Sequence, residues 1–131
     1  MNNINKKFFR ANIAKTGKQS ISLSVDIFNY SEDGLFYTYC PSLDLIAYGQ
    51  TEEIAQNEFS QILAEHFEWC MDNNTIEADL AAHGWRKEHQ EMEQPPVTAM
   101  LMNNDMLRDI VNHKNYRKHS VQMHNSKVVY A

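Results

Sequence analysis

The 131-residue chain has no long apolar run, so no segment reads as a helical membrane span. No apolar signal-peptide core follows Met1 either, and the expectation is a soluble cytoplasmic protein with no membrane partner. Cysteine is scarce. Cys40 and Cys70 each fall on the apolar pattern of their own element, which predicts buried free thiols in a reducing compartment rather than a disulfide. Positive charge is missing from the middle of the chain: between Ile21 and Gln94 the only bases are Arg86 and Lys87. A phosphate loop is absent, because Gly17-Lys18 lacks both the earlier glycine and the Ser or Thr after lysine, leaving Lys15–Gln19 as a connecting turn. The histidines never complete a metal-ligand pattern. His66 and Cys70 share a helix face at i,i+4 but no second pair completes a site, so neither a metal nor any other cofactor is expected. No segment repeats another and none is low-complexity, and the length suits one ordinary core with an appended segment.

What is present is concentrated between Ile21 and Cys70. Ile21, Leu23, Val25 and Ile27 alternate with Ser22, Ser24 and Asp26, the period-2 mark of a strand. Asp33-Gly34 then predicts a tight hairpin turn into a second strand, where Leu35, Tyr37 and Tyr39 alternate with Phe36, Thr38 and Cys40. Pro41-Ser42 interrupts, and Leu45–Tyr48 makes a third short strand that ends at Gly49. From Thr51 the period becomes helical. Phe59, Ile62, Leu63, His66, Phe67 and Cys70 lie on one face, with Glu58, Gln61, Glu65 and Glu68 around the other. Thr51 is placed to cap this helix, and Glu52 and Glu53 set carboxylates in the first turn, where the helix dipole favours them. The order is β-β-β-α: an α+β unit with a three- or four-stranded antiparallel sheet and one long helix across a face.

The run EDGLFYTYCPSLDLIAYGQTEEIAQNEF resembles the HicB-like antitoxin domain family, over roughly residues 21–85. The similarity lies in the Asp-Gly hairpin, the aromatic strand, the Pro-x-Leu turn and the start of the helix. Gly49, Thr51, Glu53 and Ala55 fit the family's Gly-x-Thr-x-Glu-Glu-Ala pattern there, while Ile54 stands where the family often has a small or charged residue. The resemblance implies a partial ribonuclease-H-like fold without catalytic residues. It also implies a HicA-like RNA-cleaving toxin as partner, in a toxin–antitoxin pair, and a C-terminal DNA-binding element in many members.

Outside that unit, Lys6–Ile13 reads as an extra edge strand with Phe8 or Phe9 reaching the core. After the long helix, Thr75 caps a short helix from Ile76 to His83 that ends at Gly84. Leu80 and Trp85 then stand at the two positions that touch in a Schellman ending, which assigns Trp85 to packing rather than ligand stacking. Arg86–Gln94 carries charge without an apolar face and reads as a linker, extended by Pro95-Pro96. Beyond it, Val97–Met102 reads as a strand, and Asn103 or Asn104 caps a helix buried through Met106, Leu107, Ile110 and Val111. Lys114–His119 is a basic turn and Ser120–Tyr130 is β-like. The resulting division is a domain over residues 1–94 and a strand-helix-strand extension over 95–131 that mediates homodimerisation. Only one helix follows the strand, so neither a ribbon–helix–helix nor a helix-turn-helix is complete. DNA binding through Arg108, Lys114, Arg117 and Lys118 is possible but not favoured.

Charge is segmented, with basic ends flanking the acidic middle. An acidic middle repels phosphate and suits a cationic protein, with Glu58, Glu65 and Glu68 on the helix's outer face as the contact. The competing reading of that face is a solvated helix surface. No catalytic residue is assigned. Cys40 with His66 or His83 could form a thiol–imidazole pair, but no sequence neighbour supplies activation. Asp26, Asp44 and Glu53 could imitate a ribonuclease H carboxylate cluster, but the resemblance implies a non-catalytic version, and carboxylates on exposed strand faces ordinarily serve solubility. The expectation is a non-catalytic antitoxin-like binding module. The alternatives are an orphan oligomeric domain or a carboxylate-dependent hydrolase.

Overall fold

The computed structural model describes residues 10–13, 21–88, 91–124 and 127–130. Their elements run β1 (Arg10–Ile13), β2 (Ile21–Glu32), β3 (Leu35–Cys40), β4 (Leu45–Gly49), α1 (Glu52–Asp72), α2 (Ile76–Ala82), β5 (Arg86–Glu88), β6 (Glu91–Glu93), α3 (Val97–Asn103), α4 (Asp105–His113), β7 (Arg117–His124) and β8 (Lys127–Tyr130). The class is α+β, and the β-β-β-α order of β2, β3, β4 and α1 is the one the periodicities predict. All strand pairs are antiparallel, and the sheet is larger than three or four strands: eight described strands join it.

The twelve-residue β2 organises this sheet. Along one edge it pairs with β7, from Ser22 opposite His124 to Asn29 opposite Arg117. Ser22 and Leu23 also pair with β1, and Phe28 and Asn29 also pair with β3, so β1 and β3 must share the other edge. Among the described residues Ser24–Ile27 have no strand partner on that edge, and the Gln94 side-chain oxygen accepts from the Asp26 N–H at 3.4 Å.

The two faces of β2 serve two cores. Leu23, Val25 and Ile27 face α1 and meet Phe59, Leu63, Phe67 and Cys70, together with Val121 and Met123 of β7. On the opposite face Phe28, Tyr30 and Tyr39 meet Met100, Leu107 and Ile110 of α3 and α4. Both faces of the sheet are therefore covered by helices.

Several local signals act as the sequence implies. Asp33 and Gly34 both take positive φ in a two-residue hairpin turn. The Thr51 hydroxyl accepts from Ile54 N–H at 3.1 Å and caps α1. At the end of α2 the Trp85 and Gly84 N–H groups donate to Leu80 and Ala81 carbonyls, each at 3.0 Å, with Gly84 at φ +86°. That is the Schellman pattern. Trp85 packs in the α1 core, and its indole N–H also reaches the Ser42 carbonyl at 2.8 Å, tying α2 to the Pro41-Ser42-Leu43 turn.

Gly49 is required by close approach. A Cβ there would meet the Ile54 side chain, including Ile54 Cβ at 2.9 Å, and would sit 3.1 Å from the Ala55 nitrogen. Gly49→Ala is expected to destabilise the fold by about 1–3 kcal/mol through overpacking. Trimming Ile54 to Ala in the same chain should recover part of that loss. Chemical denaturation of both variants reads it, and equal stability of Gly49→Ala and wild type would mean that β4 and α1 are not this close.

Four expectations change. Val97–Met102 is helix, not strand, because Val97, Met100 and Leu101 repeat at helical spacing and lie together against the Phe28–Tyr30–Tyr39 face. Two helices therefore follow the prolines, and Asn104 caps the second through Leu107 N–H at 2.9 Å. Residues 86–94 are not a linker: β5 and β6 form a hairpin, paired to β1 and anchored by the buried Met92. That pairing also makes β1 an interior strand rather than an edge; Phe8 and Phe9 lie outside the described residues. The division at residue 95 does not separate two cores, since β7 crosses back beside β2 and contributes Val121 and Met123 to the α1 core.

Candidate functional site

The long helix α1 places Ala55, Phe59, Leu63, Phe67 and Cys70 inward, so its opposite side faces solvent. Glu58, Glu65 and Glu68 are exposed on that side, at the spacing of one continuous stripe. None of the three forms an ion pair with a described residue. The helix carries Glu52, Glu53, Glu58, Glu65, Glu68 and Asp72 and no lysine or arginine. Trp69, 62% exposed, lies beside Glu65 and Glu68 and adds an apolar surface to the stripe.

The four cations named as nucleic-acid contacts are differently placed. Arg108 pairs with Asp105 and donates to the Leu101 carbonyl at 2.7 Å, capping the end of α3. Lys114 lies 2.8 Å from Glu32, Arg117 pairs with Glu52, and Lys118 lies 3.4 Å from Asp26. Each is paired with a carboxylate of the same chain, and Arg117 and Lys118, adjacent on one strand, point to opposite faces. They do not assemble into one basic patch.

Asp26 is the most unusual ionisable group. Expected on an exposed strand face, it is 1% exposed; it lies on the same face of β2 as Phe28, which packs under α3 and α4, with Gln94 at its N–H. Lys118 Nζ lies 3.4 Å from one carboxylate oxygen and supplies the neighbouring charge, with the side chains of Gln94 and Ser120 as weaker polar neighbours. Burial pushes its carboxyl above the ordinary aspartate value, with the Lys118 ammonium opposing the shift. Asp44 instead sits in the β3–β4 turn, where it accepts from Tyr39 Oη at 3.5 Å, and Glu53 is exposed in the first turn of α1. The three carboxylates considered as a hydrolytic cluster are not brought together among the described residues. Cys40 is not paired with His66 or His83, which bond to Asp79 instead. It lies fully buried with Ser42 Oγ at 3.5 Å, and burial pushes its thiol up to about 12.

Among the described residues one group does have metal-ligating composition. His66 Nε2 lies 2.9 Å from Asp79 Oδ2 and 3.8 Å from Cys70 Sγ. Asp79 comes from α2, which folds back along α1 after the Asn73-Asn74 turn. The spacing contains a signal for this: His66-x3-Cys70 is followed by Asp79-x3-His83, two i,i+4 pairs on consecutive helices. A separate cleft of about 650 Å³ opens between the end of α2 and the start of α3, lined in part by His83, Arg86, Gln94, Pro95, Asn103 and Asn104.

No helix among the described residues is long and apolar enough to cross a membrane. Comparisons with protein-family models, with curated proteins and with solved structures found no match.

Proposed function

We propose that the chain is a non-catalytic binding module, HicB-like and antitoxin-like in role, that covers a small basic RNA-cleaving protein of HicA-like type. The observation that carries this reading is the outer face of α1, where Glu58, Glu65 and Glu68 are exposed and unpaired with any described cation. Glu68 and Asp72 lie in the last turns of that helix, where the dipole disfavours anions by about 0.3–1 kcal/mol each. Carboxylates kept there against a local cost suit a cationic partner. A protein that grips RNA must present positive charge, and a matching acidic stripe both covers that surface and accelerates encounter. The internal pairing of Arg108, Lys114, Arg117 and Lys118 leaves little to bind a phosphate backbone. Homodimerisation through an unpartnered tail loses its motive as well, since β7 and β8 pair within the chain's own sheet.

The test is association with the small basic product of an adjacent gene. Converting Glu58, Glu65 and Glu68 to Lys is expected to slow association about tenfold or more at low salt, with the difference shrinking as ionic strength rises. Those side chains face water, so the melting temperature should hold. Unchanged low-salt association would reduce the stripe to a solvated surface and sink the proposal.

A further inference from the structure

We propose that His66 Nε2, Cys70 Sγ and Asp79 Oδ2 form a three-ligand site for Zn²⁺ that clamps α1 to α2 and leaves one coordination position to solvent. The donor set is imidazole, thiolate and carboxylate, the combination that Zn²⁺ accepts in tetrahedral sites and that hard cations such as Mg²⁺ or Ca²⁺ do not favour.

The separations already approximate the required geometry. With Zn–N and Zn–O near about 2.1 Å and Zn–S near about 2.3 Å, tetrahedral coordination places N and O roughly 3.4 Å apart, and S and N roughly 3.6 Å apart. In the structure the N–O distance is 2.9 Å, the S–N distance is 3.8 Å, and all three atoms lie within 4.8 Å of one another. Binding needs the His66–Asp79 hydrogen bond to open by about half an ångström, and the Cys70 sulfur and Asp79 oxygen, within 4.8 Å of each other, to close by up to about an ångström. Movements of that size lie within side-chain adjustment on two helices that already touch.

Three independent features favour a cation at this place. His66 and Cys70 occupy the last two turns of α1, whose C-terminal end attracts positive charge, and no lysine or arginine stands in the last turn to supply it. Access is open on one side: the His66 and Asp79 side chains are 25% and 20% exposed, while Cys70 closes the inner side. His83 supports the carboxylate-bearing turn, since its Nδ1 donates to the Asp79 carbonyl at 2.8 Å and lies 3.8 Å from the Asp79 carboxylate. A polar group behind a ligand is the usual means of fixing its orientation. The site is independent of the partner-binding reading, because it uses none of the glutamates on the outer stripe.

The test uses the full chain, stripped of metal with a chelator, kept reduced and titrated with Co²⁺, then with Zn²⁺. Expected is a sulfur-to-cobalt charge-transfer absorption that saturates at one ion per chain and is displaced by one Zn²⁺. Cys70→Ser should abolish the band, which the inaccessible Cys40 cannot replace. His66→Gln and Asp79→Asn should weaken Zn²⁺ binding about tenfold or more, and His83→Ala less. Asp79→Asn keeps a hydrogen-bonding oxygen beside His66, so it is the variant to follow if Cys70→Ser folds poorly. Wild type should also melt at a higher temperature with Zn²⁺ than without it, and Asp79→Asn should lose most of that gain. The absence of a sulfur-to-cobalt band at saturating excess overturns the proposal. So does a band that survives in folded Cys70→Ser, or Zn²⁺ stabilisation that is undiminished in Asp79→Asn.

Discussion

Phe59→Ala is expected to lower the unfolding free energy by about 3–5 kcal/mol, the range for deleting a buried aromatic side chain. Phe59 is 0% exposed at the centre of α1 and belongs to the cluster with Val25, Ile27, Leu63 and Phe67. Its ring is held by helix on one side and sheet on the other, so neither layer can collapse into the cavity without breaking its own hydrogen-bond ladder. For a domain of this size the melting temperature should fall by roughly 10–20 °C. Trp69→Ala, on the same helix but 62% exposed, is the control and should stay within about 0.5 kcal/mol of wild type. If Phe59→Ala proves too unstable to purify, Phe59→Leu reads the same contact with a smaller loss. Equal shifts for Phe59→Ala and Trp69→Ala would mean that α1 does not pack on the sheet through this face.

Lys118→Ala should be the most pH-dependent destabilising change. Removing the ammonium 3.4 Å from Asp26 leaves a carboxylate that is 1% exposed, with the side chains of Gln94 and Ser120 as the remaining polar groups opposing its burial. A fully buried pair broken this way loses about 3–5 kcal/mol. The Lys118 side chain is 43% exposed, and its attraction is partly screened, so about 2 kcal/mol is expected at neutral pH. The sign follows from linkage. Burial raises the folded-state pKa of Asp26 above its ordinary value, so the folded protein binds the proton more readily than the unfolded chain. The stability attached to that protonation is present below the unfolded pKa and is lost as pH rises through the folded one. Without Lys118 the folded value rises further, so the variant's deficit should be full at neutral pH and shrink as acid neutralises Asp26. Asp26→Asn in the Lys118→Ala background should restore most of the lost stability at neutral pH, which a double-mutant cycle reads directly. A deficit that is the same at pH 5 and pH 8, with no rescue by Asp26→Asn, would show that Lys118 acts by packing alone.

The same two residues show where sequence reading stops. Asp26 alternates with Leu23, Val25 and Ile27 as a solvent-facing strand residue would, and the alternation is real: it faces away from α1. Its surroundings come from residues more than 60 positions later in the chain: Gln94 at its N–H, and Lys118 and Ser120 of β7 beside its carboxylate. No property of residues 21–28 records those partners. His66 is similar. Its pairing with Cys70 is legible because i,i+4 residues are neighbours on any helix, whereas Asp79 arrives only because the turn at Asn73-Asn74 reverses the chain.

What the sequence by itself determined is whatever rests on contacts within a few residues. The Asp33-Gly34 hairpin, the Thr51 cap, the Schellman ending at Gly84 and the inward stripe of α1 all satisfy their own backbone groups or repeat with a local period. Tertiary structure decided the state of segments whose local signals were weak or divided. Val97–Met102 is apolar enough for a strand, but it became helix because the Phe28–Tyr30–Tyr39 face accepts residues three and four apart. Residues 86–94 have one apolar side chain, Met92, and became a hairpin because β1 offered an unpaired edge. The tail strand β7 lies beside β2 across some 95 residues of chain, a pairing in which each backbone group finds a partner that no local pattern specifies. Short-range hydrogen bonds and side-chain periods are written along the chain, while burial and long-range pairing depend on which surfaces remain uncovered once those local units have formed.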